Sequence, residues 1–174
     1  TNPHDPDTIG KSGRCLILIT DDAERSMNSF LGISEELTVD DINLEALQHS
    51  RYVYIEGYLA SSPTARTAAI VAREAAQEEG VLTSLTLSDP NMVEIYRSAL
   101  TQMLGNGVHQ LFCNEDEALA WTGTDRLDIA ANELKDIAPF VNITLGKNGS
   151  LLVSPDGRRQ LPGFDVPAID TTGA

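Results

Sequence analysis

Arg51-Tyr52-Val53-Tyr54-Ile55-Glu56-Gly57, then Ser62-Pro63 and an Ala-rich run to Gly80, then Val81-Leu82-Thr83-Ser84-Leu85-Thr86-Leu87, is the stretch from which the fold can be read. The first and last pieces are short apolar runs rich in aromatic and β-branched residues, which is the pattern of strands. Between them Ser62 supplies a cap, and Pro63 occupies the first helical position, where its missing N–H costs nothing. Ala68, Ala69, Ala72, Ala75 and Ala76 give the helix expected over 64–79 a smooth packing face, and Gly80 stops it. A strand, a helix and a second strand at this spacing make a right-handed βαβ unit on a parallel sheet.

The pattern continues downstream. A helix is expected over 92–104 from the spacing of Val93, Tyr96, Leu100 and Leu104, and a strand over 109–113 after the Asn106-Gly107 turn. Asn114-Glu115-Asp116-Glu117 opens a helix that Gly123 ends, and Asp125 begins another that runs to Ala138. The strand over 140–145 leads through Gly146-Lys147-Asn148-Gly149 into an antiparallel return over 150–154. Pro155-Asp156-Gly157-Arg158 then turns the chain once more. The apolar runs at 52–55 and 141–145 suit strands buried on both faces. Upstream, Cys15 to Thr20 and Arg25 to Leu31 read as a β-hairpin over about 14–31, standing apart from the main sheet. A short helix over 42–47 follows, with Asp40 or Asp41 as its cap.

The bulk numbers exclude several classes. The 174 residues make one domain or part of one. A net charge of −14, from 26 acidic against 12 basic residues, argues against nucleic acid or an anionic membrane as partner. No apolar run approaches the roughly 20 residues that a membrane span needs. Cys15 and Cys113 lie far apart in apolar runs and read as two buried thiols in a cytoplasmic protein rather than a disulfide. His4, His49 and His109 have no metal-ligand spacing. No Gly-x-Gly-x-x-Gly follows any strand, which disfavours a dinucleotide-dependent redox enzyme.

In open α/β sheets, ligands bind beyond the carboxyl ends of the strands. The segments expected there are Glu56-Gly57-Tyr58, Asp89-Pro90-Asn91, Asn114 with Glu117, Gly146 to Gly149, and Asp170-Thr171-Thr172-Gly173-Ala174. Each alone has a plain structural reading. Asn114 and Glu117 suit a capping box, Arg25 suits a solvated strand end, and Asp170 to Ala174 suits a solvated tail. Their convergence on one rim offers the alternative of an anion site built from N–H donors, beside which a divalent cation would be recruited.

These segments, in this order, resemble the PfkB (ribokinase-type) family of carbohydrate and nucleoside kinases. Asp170-Thr171-Thr172-Gly173-Ala174 resembles the start of the family signature Asp-Thr-Thr-Gly-Ala-Gly-Asp, and Asn114-Glu115-Asp116-Glu117 fits its Asn-x-x-Glu motif. Asp89-Pro90-Asn91 and Thr144-Leu145-Gly146-Lys147-Asn148-Gly149 fit its Asp-x-Asn and Thr-x-Gly-x-x-Gly segments. Ser12-Gly13-Arg14 with the hairpin, and Glu56-Gly57-Tyr58-Leu59, are most similar to adenosine-kinase-like members.

The resemblance implies a ribokinase-like α/β fold: a parallel sheet flanked by helices, with a lid hairpin at 14–33 and a partial kinase core at 34–174. It implies ATP-dependent phosphorylation of a primary hydroxyl on a nucleoside, adenosine first, or on a sugar. The alternatives are a ribokinase- or fructokinase-like sugar kinase and a non-catalytic α/β binding module. Gly173 and Ala174 would supply the anion-hole donors, with Thr172 on the nucleotide, and Arg25 would reach the phosphates or the substrate from the lid. Asn114 and Glu117 would organise Mg²⁺, Thr144, Gly146 and Gly149 would line the ATP site, and Asp170 would lie near a K⁺-type monovalent cation. Within this family such a hairpin is either a dimerisation surface or a simple cover. The family's base is the second Asp of the signature, two positions past Ala174. No residue of these 174 is therefore expected to be the base, and the chain is expected to be a segment of a longer kinase.

Overall fold

The computed structural model describes residues 9–21 and 25–166. Two sheets are present among them. Strands β1 (Arg14–Ile19) and β2 (Arg25–Phe30) pair antiparallel as a two-stranded sheet of their own. The other six strands form one sheet in sequence order: β3 (Tyr52–Glu56), β4 (Leu82–Thr86), β5 (Gln110–Asn114), β6 (Phe140–Thr144), β7 (Ser150–Ser154) and β8 (Gly157–Leu161). β3 to β6 run parallel, and β7 and β8 return antiparallel.

The helices follow from their caps. α1 (Leu44–Gln48) is capped by Asn43, whose Oδ1 accepts the Ala46 N–H at 2.9 Å. The cap is thus neither Asp40 nor Asp41. Asp41 instead accepts from the Thr38 N–H at 2.8 Å and closes a 3₁₀ turn over Val39–Asp41. α2 (Pro63–Glu78) opens on Ser62, and α3 (Pro90–Leu104) opens on Asp89. α4 (Glu115–Thr122) opens on Asn114 and closes on Gly123, which is left-handed at φ +69°. The helix expected over 125–138 is shorter. α5 spans Leu127–Glu133 and tightens into a 3₁₀ turn at Leu134–Asp136, and Pro139 disfavours helical geometry at Ala138, the end of the expected helix.

The core lies between α2–α5 and one face of the large sheet. Leu85, Leu111, Val141, Ile143 and Val153 point into it from the strands, and Leu100, Met103 and Leu134 meet them. Each is fully buried, and burying one such side chain is worth about 1.5–3 kcal/mol.

The opposite sheet face corrects the expectation of burial on both sides. By strand alternation it carries Tyr52, Tyr54, Phe112, Phe140 and Leu152, and the two tyrosines and Phe140 are exposed. Among the described residues the helices gather on the other side of the sheet, so rings on this face pack on one another. The Tyr54 and Phe112 centroids are 6.1 Å apart, and those of His109 and Phe140 5.0 Å. The pair of buried thiols is half right. Cys113 is in the core, but Cys15 is exposed, because a two-stranded hairpin has no interior. Among the described residues no helix is long and apolar enough to cross a membrane.

Candidate active site

Four parallel neighbours end on the same rim, so β3, β4, β5 and β6 deliver Glu56, Asp89, Asn114 and Thr144 to one line. Asn114 and Thr144 are direct register partners. The rim that the sequence reading assembles from separate motifs is therefore built by strand pairing.

Asn114 leaves β5 in extended geometry and caps α4. Its Oδ1 accepts the Glu117 N–H at 2.7 Å, and its own N–H donates to Glu117 Oε2 at 3.1 Å. This closed capping box satisfies two donors of the first turn. It also fixes Glu117 at a place no exposed surface pair would choose. Glu117 is 4% exposed, and a buried carboxylate without a cation is costly. Burial pushes its pKa up to about 7; the Asn114 N–H opposes this, and Asp89 and Asp116 add to it. The same burial, together with Glu117, holds the Cys113 thiol well above its usual range.

Asp89 faces this acid from the next strand end. Its Oδ1 accepts both the Asn91 N–H and the Asn91 side-chain amide at 2.8 Å, which caps α3. Tyr58 completes the neighbourhood: burial raises its pKa, the charges of Asp89, Glu117 and Glu56 act the same way, and Arg25 acts against them. Arg25, at the first position of β2, is thus close enough for its charge to be felt on the rim.

The glycine turn after β6 is shaped by contact. Gly146 and Gly149 have φ +54° and +91°. The Leu145 N–H donates to Gly149 O at 2.8 Å, and the Gly149 N–H donates to Gly146 O at 3.0 Å. A Cβ on Gly149 would collide with Leu161 O and stand 2.5 Å from Gly163 N, so only glycine lets this turn rest on the segment after β8. Beside it lies an open groove of about 680 Å³, lined by Glu115, Leu145, Lys147, Asn148, Pro162 and Gly163 among others.

Of the expected site residues, Asn114, Glu117, Thr144, Gly146 and Gly149 come together on this rim and Arg25 approaches it. Asp170, Thr172, Gly173 and Ala174 lie outside the described residues. Sequence reasoning places Asp89, Glu56 and Lys147 inside motif segments without giving any of them a role, and it gives Gly163 none. The first two carried a signal in their place after β4 and β3. The groove depends on β8 folding back beside the turn, which no local pattern announces.

An oxygen-only donor set of this kind suits Mg²⁺, which keeps several waters and takes one or two carboxylates together with phosphate oxygens. Glu117 and Asp89 supply that number. Among the described residues no group of three or more His, Cys, Asp or Glu side chains is placed to hold a metal, so no dedicated protein cage is present there.

The family model described as "pfkB family carbohydrate kinase" matches residues 1–174. Fructokinase-1 of Zea mays is 26% identical over 97% of this chain and 54% of its own length. Among solved structures, a probable sugar kinase from Rhizobium etli superposes with a TM-score of 0.87 at 31% identity, over 92% of this chain and 49% of that one. An adenosine kinase from Sinorhizobium meliloti superposes equally well at 0.87, with 35% identity over 92% of this chain and 50% of that one. The chain thus spans about half the length of the relatives it matches.

Proposed function

The chain belongs to the PfkB carbohydrate kinase family, and from that premise we propose that it is the core of an ATP-dependent kinase acting on a primary hydroxyl of a nucleoside, adenosine first. The observation that carries this reading is the buried Glu117. A capping box needs only a hydrogen bond, and an exposed Glu would supply it. Here the acid is sunk beside Asp89, which suits a group that meets a cation. Phosphoryl transfer asks for such an arrangement, because its catalysis is mostly positioning and charge stabilisation.

The roles are those that membership of the family supports. Asn114 and Glu117 organise Mg²⁺ and its waters, with Asp89 beside them. Thr144, Gly146 and Gly149 border the adenine-nucleotide groove. Arg25, on a lid formed by residues 14–33 over a core of 34–174, reaches the phosphates or the substrate. Asp170, Thr172, Gly173 and Ala174 lie outside the described residues; on the likeness of their sequence to the family signature, Gly173 and Ala174 would donate to the transferred group, Thr172 would contact the nucleotide and Asp170 would lie near a monovalent cation. Mg²⁺, when bound, neutralises phosphate charge. The lid keeps water from competing with the acceptor hydroxyl and offers an apolar surface to a second copy. The adenosine preference is supported by the 35% identity to the bacterial adenosine kinase. A sugar acceptor is the second reading, supported by the likeness to a fructokinase along almost the whole chain.

The test uses Asn114→Ala and Glu117→Ala in the full-length protein. Both should slow turnover and raise the Mg²⁺ concentration needed for half-maximal rate. Loss of thermal stability in both, with the Mg²⁺ dependence unmoved, would reduce the pair to a helix cap.

A further inference from the structure

Ser88 is the one non-glycine residue in the left-handed region among the described residues, at φ +74°. It sits between the end of β4 and Asp89, on the rim. Strain of this kind persists only where the surroundings over-determine it, and it gathers at functional sites. The surroundings are explicit. The Ser88 N–H donates to Thr86 Oγ1 at 3.2 Å, and the Asp89 N–H folds back to Leu87 O at 3.0 Å. From the neighbouring strand end, the Tyr58 hydroxyl donates to Ser88 O at 3.2 Å. Tyr58 can reach because Gly57 lies flat against β4. A Cβ there would collide with Thr86 O and come within 2.9 Å of both Leu87 O and Ser88 Oγ.

The turn that these contacts hold decides where Asp89 points. Its carboxylate caps α3 through Asn91 and lies close enough to Glu117 for its charge to be felt there. We propose that Tyr58 is a positioning residue for the acidic pair Asp89 and Glu117, acting through the Ser88 carbonyl to keep the strained turn that orients Asp89. The proposal rests on the kinase reading only for the use of that pair. The mechanical part stands on the turn itself. Tyr58 touches neither carboxylate in this scheme: it supplies one hydrogen bond to backbone, on a residue whose conformation a serine would otherwise leave.

The mechanism dictates a thermodynamic cycle in the full-length protein: Tyr58→Phe, Ser88→Gly and the double variant. Phe keeps the ring and removes the hydroxyl. Glycine accepts φ +74° without a Cβ penalty, so the turn should no longer need Tyr58. Amide hydrogen exchange at Asp89 and Asn91, read without ligand, should rise roughly five-fold in Tyr58→Phe, the worth of one ordinary hydrogen bond. It should rise less than about two-fold when the same change is made on Ser88→Gly. Binding of the Mg²⁺ complex of a non-hydrolysable ATP analogue should weaken by a similar factor in Tyr58→Phe and recover in the double variant. Exchange that is unchanged in Tyr58→Phe, or raised equally in both backgrounds, overturns the proposal. So does exchange that behaves as expected while nucleotide binding stays at the parental value. A parental protein that binds no Mg²⁺–nucleotide fails the kinase reading instead, and the exchange measurements still decide the role of Tyr58 in the turn.

Discussion

Replacing Glu117 by Gln separates the two things this residue does. The amide oxygen of the new side chain can still accept the Asn114 N–H, and the backbone N–H at this position still reaches Asn114 Oδ1, so the capping box survives. What disappears is the charge. In the unfolded chain Glu117 ionises near its ordinary value of 4.5, and in the folded protein near 7. Between those values the folded state holds a proton that the unfolded state has lost. Stability therefore falls as pH rises through that window, and it is flat on either side of it. One pKa unit corresponds to about 1.4 kcal/mol. Allowing for partial water access at the rim, the penalty carried by ionised Glu117 at pH 8 is on the order of 1–3 kcal/mol. Urea unfolding at a series of pH values from about 4.5 to 8, without divalent cation, should show the variant matching the parent at the acid end. It should exceed the parent by that amount at the alkaline end. Millimolar Mg²⁺ with ATP should then stabilise the parent more than the variant and close the gap between them. A stability difference that stays constant across the series would refute the idea that Glu117 is held at a desolvated, cation-ready position.

Asn114→Ala removes the cap from α4 and leaves the Glu117 N–H without its acceptor; a loss of about 1–2 kcal/mol in chemical denaturation is expected. Gly149→Ala places a Cβ against Leu161 O at φ +91°, so a loss of roughly 2–4 kcal/mol in a thermal melt should accompany weaker nucleotide binding. Leu100→Ala, at a fully buried position of α3, should cost about 3 kcal/mol without altering the Mg²⁺ dependence of turnover, which distinguishes core damage from site damage. Arg25→Ala lies on the exposed hairpin and should leave the melting temperature within about 2 °C while raising the KM for ATP or acceptor.

Much of the sheet was legible because its signals are local. Ser62-Pro63 and Asn114 with Glu117 each pair a cap with the helix it opens, and both helices start there, whereas Asp89-Pro90, read as a turn before a helix from 92, is itself the cap and first residue of α3. The Asn114 box and the Gly146–Gly149 turn were legible for the same reason: a short motif states its own geometry. Burial was less so. Tyr52 and Tyr54 read as interior residues, yet they occupy the sheet face away from the described helices, and alternation alone cannot say which face is covered. Cys15 went wrong likewise, since an apolar run looks the same on a lone hairpin as in a core. The α1 cap read as Asp40 or Asp41 is instead Asn43, because Asp41 is taken by Thr38. The strained Ser88, the approach of Gly57 to β4 and the groove beside Gly163 arise from strands and turns that meet across long stretches of intervening chain.

The most direct test of the central claim is transfer of labelled γ-phosphate from ATP by the full-length protein, with Mg²⁺, to adenosine, ribose and fructose in parallel. The expected result is a phosphorylated product from at least one acceptor, adenosine fastest, with the rate collapsing when Mg²⁺ is withheld. Release of free phosphate alone, or no labelled product with any of the three under saturating Mg²⁺ and ATP, would contradict it.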